Sequence, residues 1–362
     1  MSALVPILGR YLFIRFLSTI LIVFGIAALL IYILDVIELT RIANDASLFA
    51  LLSSAKLSFL RTPVIMEQVL PFAGFFGALW AFLGLARSRE LVVARAAGVS
   101  VWQFLLPPLF AAAIIGAFSM LVFNPLSAYL KAMSEEALSQ HDQAYMAGHG
   151  GPVWIRQRSV DGDAILRASA TDMTAARFTG VTAFEFDHQG VFQHRIEARE
   201  AELLDGYWLL HDARVITVGV PPELHAAYEL PTYLTRAQMR QTLQQAEAIS
   251  FYDLPAWAKA TEAAGLDSAR YVQQFDALLA RPALLAAMLL LAATVSLRFS
   301  RTGAQVTTIL IGILAVFSIF VVNKVMTDLG SAGLLSPLLT AFITPGAASL
   351  LSAVFLLYQE DG

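Results

Sequence analysis

The sequence predicts an α-helical membrane protein with six transmembrane helices and an inserted all-β, jellyroll-like domain. Three observations lead there. Hydrophobic residues fill 57% of the 362 positions and charged residues 14%, against roughly 25% charged in an ordinary soluble domain. A soluble fold so poor in solvating groups would expose large apolar patches and aggregate. The charge is also uneven: it gathers in the middle third, which breaks into short alternating segments separated by turn residues.

A membrane-crossing helix needs about 20 mostly apolar residues. Leu12–Leu34 is the first such stretch. It is too long for a signal-peptide core and no small-residue cleavage pattern follows, so it reads as a retained span. Val69–Ala86 is charge-free and short, preceded by a half-apolar stretch from Phe49 that carries Lys56, Arg61 and Glu67. Val101–Leu130 has no charge, Ala277–Leu297 holds only Arg281, Thr302–Asn323 holds none, and Leu338–Tyr358 is the sixth. The expected organisation is 1–130 for spans one to three, 131–269 for the insert and 270–362 for spans four to six.

Arginine and lysine near the span ends set the expected orientation. Arg10, Arg15, Arg87, Arg89, Arg95, Arg298 and Arg301 fall on one side, and Arg41, Lys56, Arg61 and Lys324 on the other. The first side reads as cytoplasmic, with both termini inside and the insert outside.

The insert opens with a polar helical stretch, Lys131–Gln143, and a break at Gly148-His149-Gly150-Gly151. Phe192, His194, Ile196 and Ala198 then alternate with Gln193, Arg195 and Glu197, and Phe184 and Phe186 flank Glu185. Asp161-Gly162, Asp187-His188-Gln189-Gly190 and Asp205-Gly206 are turn signals between such segments. Short strands at near-regular spacing predict a sandwich or jellyroll. From Thr235 to Gly265 the pattern turns helical again.

Several chemistries find no residues here. A net charge of -4 gives no basic footprint for nucleic acid. With no cysteine, thiolate catalysis and Cys-based metal sites are excluded. No G-x-x-x-x-G-K-[ST] loop, H-E-x-x-H or G-x-S-x-G occurs, and the six histidines lie in or beside the insert without metal-ligand spacing. No catalytic residue, metal site or cofactor is expected on this chain.

The most informative segment is Arg87-Ser88-Arg89-Glu90-Leu91-Val92-Val93-Ala94-Arg95-Ala96-Ala97-Gly98-Val99-Ser100, between the second and third spans. Glu90 to Ala97 favours helix and Gly98 is placed as its C-terminal stop. Leu91, Val92 and Ala94 share a less polar face than Arg87, Glu90 and Arg95. Such a helix either seats in a groove of a cytoplasmic partner or lies among the headgroups with its arginines snorkelling.

This segment resembles the coupling helix of the LptF/LptG permeases, the membrane subunits that extract lipopolysaccharide for transport to the outer membrane. Asn124-Pro125, Arg270-Tyr271, Arg281-Pro282 and the insert after the third span are also similar to that family. Phe13 to Asp35 and Gln68-Val69-Leu70-Pro71-Phe72 resemble the G-type subunit (LptG) more than the F-type. The resemblance covers essentially the whole chain. It implies a bacterial inner-membrane permease paired with an LptF-type sister and seated on a dimer of LptB-type ATPase subunits, which use ATP and Mg in trans. It also implies a periplasmic insert aligned with LptC/LptA-type carrier proteins. Arg87, Arg89, Glu90, Leu91, Ala94, Arg95 and Gly98 would form the ATPase-coupling site, with Glu90 and Arg95 facing the ATPase and Leu91 and Ala94 in its groove.

Lipopolysaccharide carries acyl chains and a phosphorylated headgroup, so cations at the outer membrane level are its expected contacts. Arg41, Lys56, Arg61, Arg270, Arg281 and Lys324 are the candidates. Internal pairing competes, through Lys324 with Asp328 or Glu67 with Lys56 or Arg61. The chain departs from the G-type pattern in having only Arg41 after Asp35 and Glu38, and in having apolar Leu278 one turn before Pro282. The competing functions are a permease of another envelope ABC system, of lipoprotein or mechanotransmission type, and a membrane scaffold that transports nothing.

Overall fold

The computed structural model describes residues 4–43, 48–141, 153–159, 162–172, 177–187, 189–217, 219–233, 248–263, 268–302 and 305–361. The side chains of Leu91, Arg95, Arg298 and Arg301, the Gly148–Gly151 break, His188 and the first part of the Thr235–Gly265 stretch lie outside the described set. The chain divides into two compact units: residues 1–134, 246–260 and 267–362 form one, and 135–245 with 261–266 the other.

The first unit is helical. Helices α1 (Leu4–Ala43), α2 (Leu48–Arg87), α3 (Glu90–Ala96) and α4 (Val101–Phe118) lead into a π-helical turn, Ser119–Phe123, and then α5 (Asn124–His141). After the strands of the second unit come α6 (Leu254–Ala263), α7 (Ala269–Thr302), α8 (Gln305–Ser331) and α9 (Pro337–Asp361). Six stretches among the described residues are long and apolar enough to cross a membrane: Ile7–Arg41, Leu51–Arg87, Val101–Ser134, Ala269–Ser296, Ile309–Ser331 and Pro337–Tyr358. The second runs far past its apolar half. It continues through Pro63 and Pro71, so Lys56, Arg61 and Glu67 all sit on helix. A helix tolerates proline there because neighbouring helices and hydroxyl side chains satisfy the freed backbone groups.

Helices in lipid gain nothing from burying apolar surface against one another, so close packing decides their association. A Cβ at Gly77 on α2 would lie 2.6 Å from the Ile20 Cα of α1, and one at Gly116 on α4 would lie 2.5 Å from the Pro282 Cα of α7. The helices therefore touch backbone to backbone at these points. Phe16, Phe82, Leu105 and Met288 fill the core around them, with the Phe16 and Phe82 rings edge-on at 4.6 Å. A second cluster gathers Ile249, Leu254, Ala258, Tyr271 and Leu278, so the chain returning from the insert packs with the spans.

The second unit is one antiparallel sheet of β1 (Val153–Ser159), β2 (Gly162–Ala168), β3 (Ala170–Asp172), β4 (Arg177–Phe186), β5 (Phe192–Leu204), β6 (Tyr207–Thr217) and β7 (Glu223–Pro231). The strand order β1-β2-β4-β5-β6-β7, with β3 on β4, is a meander without crossovers. The sheet curls. Gln157 of β1 accepts hydrogen bonds from Trp208 Nε1 of β6 (2.8 Å) and Thr232 Oγ1 beyond β7 (2.7 Å), joining residues from opposite ends of that order. Phe178 stacks on Trp208 at 4.9 Å inside the curl.

The alternation read from the sequence also breaks at one level. Buried positions change parity from Phe178 to Val181 in β4, from Ala198 to Ala201 in β5 and from Leu210 to Ala213 in β6. The pairing register does not shift there: Val181 faces Ala198, and Glu200 faces His211. A crease therefore crosses the strands. Gly180 (φ 61°) and Asp212 (φ 53°) supply the left-handed backbone it needs, and the Arg199–Asp212 ion pair at 3.1 Å spans it.

Candidate functional site

The short helix between the second and third spans ends as its sequence predicts. Gly98 adopts φ 80°, Val99 N donates to Ala94 O (3.1 Å) and Ala97 N to Val93 O (3.0 Å). That pairing satisfies the last carbonyls of α3 and reverses the chain. Ser100 then caps α4 in a reciprocal box with Gln103. Turns at both ends thus fix how α3 is presented.

Glu90 turns back toward α1: Arg15 Nη1 lies 3.2 Å from Glu90 Oε1 and 3.4 Å from Oε2, and Ser88 Oγ donates to Oε1 at 2.8 Å. Arg15 also bonds the Tyr11 hydroxyl, and Gly84 leaves it room, since a Cβ there would meet its guanidinium at 2.9 Å. Partial burial disfavours the charged carboxylate, but the Ser88 and Tyr11 hydrogen bonds and the Arg15 charge outweigh it and hold Glu90 below the usual carboxylate range. Ala94 packs against the span core, whereas Val92 and Val93 are 59% and 66% exposed. Arg87 and Arg89 are exposed, Arg89 in a left-handed conformation (φ 58°). Nothing in the residue pattern marked Arg15 as a partner of Glu90, because 75 residues separate them.

The candidate cations divide into two groups. On α1 and α2, Arg41 and Lys56 are exposed, while Arg61 is half-buried and engaged within the protein. On α7 and α8 the cations have protein partners: Lys324 pairs with Asp328 at 2.9 Å, and Arg270 donates to Tyr271 Oη at 2.7 Å with its guanidinium 4.7 Å from the ring centroid. Arg281 is enclosed, its side chain 16% exposed. One arm meets Glu67 and the other donates to Ser119 Oγ at 2.9 Å. Glu67 therefore pairs with Arg281, not with the Lys56 or Arg61 that its position on α2 suggested.

Around that pair lies a polar cluster inside the bundle. Asn124 Nδ2 donates to both Glu67 oxygens at 3.1 Å, Ser127 Oγ donates to Oε1, and Asn124 Oδ1 accepts from Phe251 N at 2.8 Å. Ser119 and Asn124 are five residues apart, which places them on different sides of an α-helix. The π-turn between them brings both onto the pair. Asn124-Pro125 was legible as a motif, but not what it binds.

Among the described residues the arrangement offers no nucleophile activated by a base. It offers a short helix fixed at both ends between two spans, exposed Arg41 and Lys56 on α1 and α2, and an internally satisfied ion pair among the spans. No curated protein matches the chain. The sequence model of the lipopolysaccharide export system permease LptF/LptG family matches residues 10–359, nearly the whole chain, and the chain therefore belongs to that family.

Proposed function

We propose that this chain is the G-type permease subunit of an ABC transporter that extracts lipopolysaccharide from the inner membrane, paired with an F-type sister and powered by a separate ATPase. The family match carries the reading of a lipopolysaccharide export permease. The finer assignment rests on α3: a helix held by turns at both ends, with Val92 and Val93 outward, suits docking into an apolar groove. Arg87, Arg89 and Arg95 then set its register, while Ala94 serves the inner side and Glu90 anchors α3 to Arg15. ATP and Mg belong to the docked subunit.

In this reading the insert is periplasmic, as the distribution of arginine and lysine supports. The curled sheet with edge strands β1 and β7 is a platform for carrier proteins, because an open edge accepts a further strand. Arg41 and Lys56, both exposed, are the headgroup contacts. Arg270, Arg281 and Lys324 serve structural pairing.

Purification of the tagged chain from native membranes in mild detergent, with mass spectrometry of bound proteins and lipid, tests this. Co-purification of a P-loop ATPase, a sister permease and lipopolysaccharide is expected. The chain alone with ordinary phospholipid would overturn the assignment in favour of a scaffold.

A further inference from the structure

The buried cluster at Glu67 enters the reading above only through the structural pairing of Arg281. Its members are turned on one another: both Glu67 oxygens are occupied by donors from Asn124, Ser127 and Arg281, and the second Arg281 arm is on Ser119. The Glu67 and Arg281 side chains are 5% and 16% exposed. Charges so enclosed among membrane helices are costly, and a buried pair adds little to stability over an apolar replacement. Its value must lie in what it fixes.

What it fixes is the relation of four segments. Glu67 is on α2, which runs directly into α3. Ser119, Asn124 and Ser127 belong to the third span, which starts directly after α3. Arg281 is on α7, where Pro282 meets Gly116 backbone to backbone. Asn124 holds the Phe251 amide at 2.8 Å and Tyr252 Oη donates to Leu121 O at 3.1 Å, so the chain returning from the insert is tied to the same place. Glu67 lies 20 residues before Arg87, which is about 30 Å along a helix.

We propose that Glu67 and Arg281 are positioning residues for transport. With Ser119, Asn124 and Ser127 they lock α2, the π-turn and α7 into one body. A displacement of α3 then reaches the cluster, about 30 Å away along α2, and with it the segment at Phe251, without slack. The transport half of this rests on the ATPase-driven reading; the rigid-body half does not.

The chain has no cysteine, so an introduced pair supplies the only labelling sites on it. Spin labels at Trp80→Cys on α2 and Ala256→Cys on α6, both exposed positions, report across the cluster in the full complex. A single narrow distance is expected, the same without nucleotide and with ADP–vanadate. Glu67→Gln or Arg281→Met should broaden or shift it. The same variants should lower lipopolysaccharide released per ATP hydrolysed by about two- to thirtyfold, with the ATPase rate retained. Arg281→Lys, which keeps the charge but loses one arm, should fall between. If the neutral variants fail to accumulate, Asn124→Ala keeps the ion pair, cuts the tie to Phe251 and should broaden the distance. Neutral variants with the wild-type distance and wild-type release per ATP would overturn the proposal. A wild-type complex without ATP-dependent release would sink the transport reading instead, and the distances would still decide whether the cluster makes one body.

Discussion

The Arg15–Glu90 contact gives the sharpest test of how α3 is held. Replacing Glu90 by glutamine removes an ion pair whose side chains are 27% and 39% exposed. Such a partly solvated pair contributes about 0.2–1 kcal/mol. The Ser88 hydrogen bond at 2.8 Å survives in weaker form, since the amide oxygen still accepts. The expected loss is therefore about 1 kcal/mol, or roughly fivefold in the population of the anchored helix. Glu90→Arg adds repulsion against Arg15, about 1 kcal/mol between unit charges 4 Å apart in water. Neither change is large enough to unfold the spans. The assay is ATP-driven release of lipopolysaccharide from proteoliposomes holding the complex, with the ATPase rate measured in parallel. Glu90→Gln should lower release per ATP a few-fold and Glu90→Arg more. The double variant Arg15→Glu/Glu90→Arg should recover most of it by restoring the pair in reverse. If the double variant is no better than Glu90→Arg alone, Glu90 acts on the ATPase and not through Arg15, and the anchoring argument fails.

Four other outcomes follow from the same geometry. Glu90 is held below the usual carboxylate range, so its contribution is complete above the ordinary glutamate pKa of about 4.3 and is lost as pH falls through the lower folded value. A spin label at Val93→Cys should accordingly stay immobile from neutral pH to about 5 and loosen only below about 4; loosening at pH 6 would contradict the assigned partners. Gly116→Val should drive a side chain into the Pro282 backbone and cost about 1–3 kcal/mol, seen as a lower melting temperature and less protein in the membrane. Gly330→Ala should do the same between α7 and α9, because its Cβ would lie 2.1 Å from Gln273 Oε1 and 2.4 Å from Thr340 Oγ1. Gln157→Leu should strand the buried Trp208 Nε1, costing about 1–3 kcal/mol, and near-ultraviolet circular dichroism of the full chain should show the insert melting before the spans.

The spans and the strand-rich insert were legible because each depends on local composition. A stretch such as Val101–Leu130 has no stable place in water, and segments such as Phe192–Ala198 alternate with the two-residue period of a strand. Gly98 was legible too, since few residues tolerate the left-handed stop it makes after α3. The curl and crease of the sheet were not. The crease depends on Asp212 taking a backbone conformation that no residue pattern requires, and the curl on Gln157 meeting Trp208 across the sheet.

The candidate site divides in the same way. Residue types alone placed a short charged helix between two spans and a set of cations near span ends, because membrane insertion sorts charge by position along the chain. Which cation is presented and which is paired was decided by packing. Arg281 meets Glu67 because Gly116 lets α4 reach the Pro282 backbone, and because one π-turn rotates Ser119 and Asn124 onto the same pair. Glu90 meets Arg15 because Gly84 leaves the guanidinium room. Hydropathy is a property of each segment and survives any arrangement of neighbours, whereas a partner 75 or 214 residues away exists only once the helices have packed.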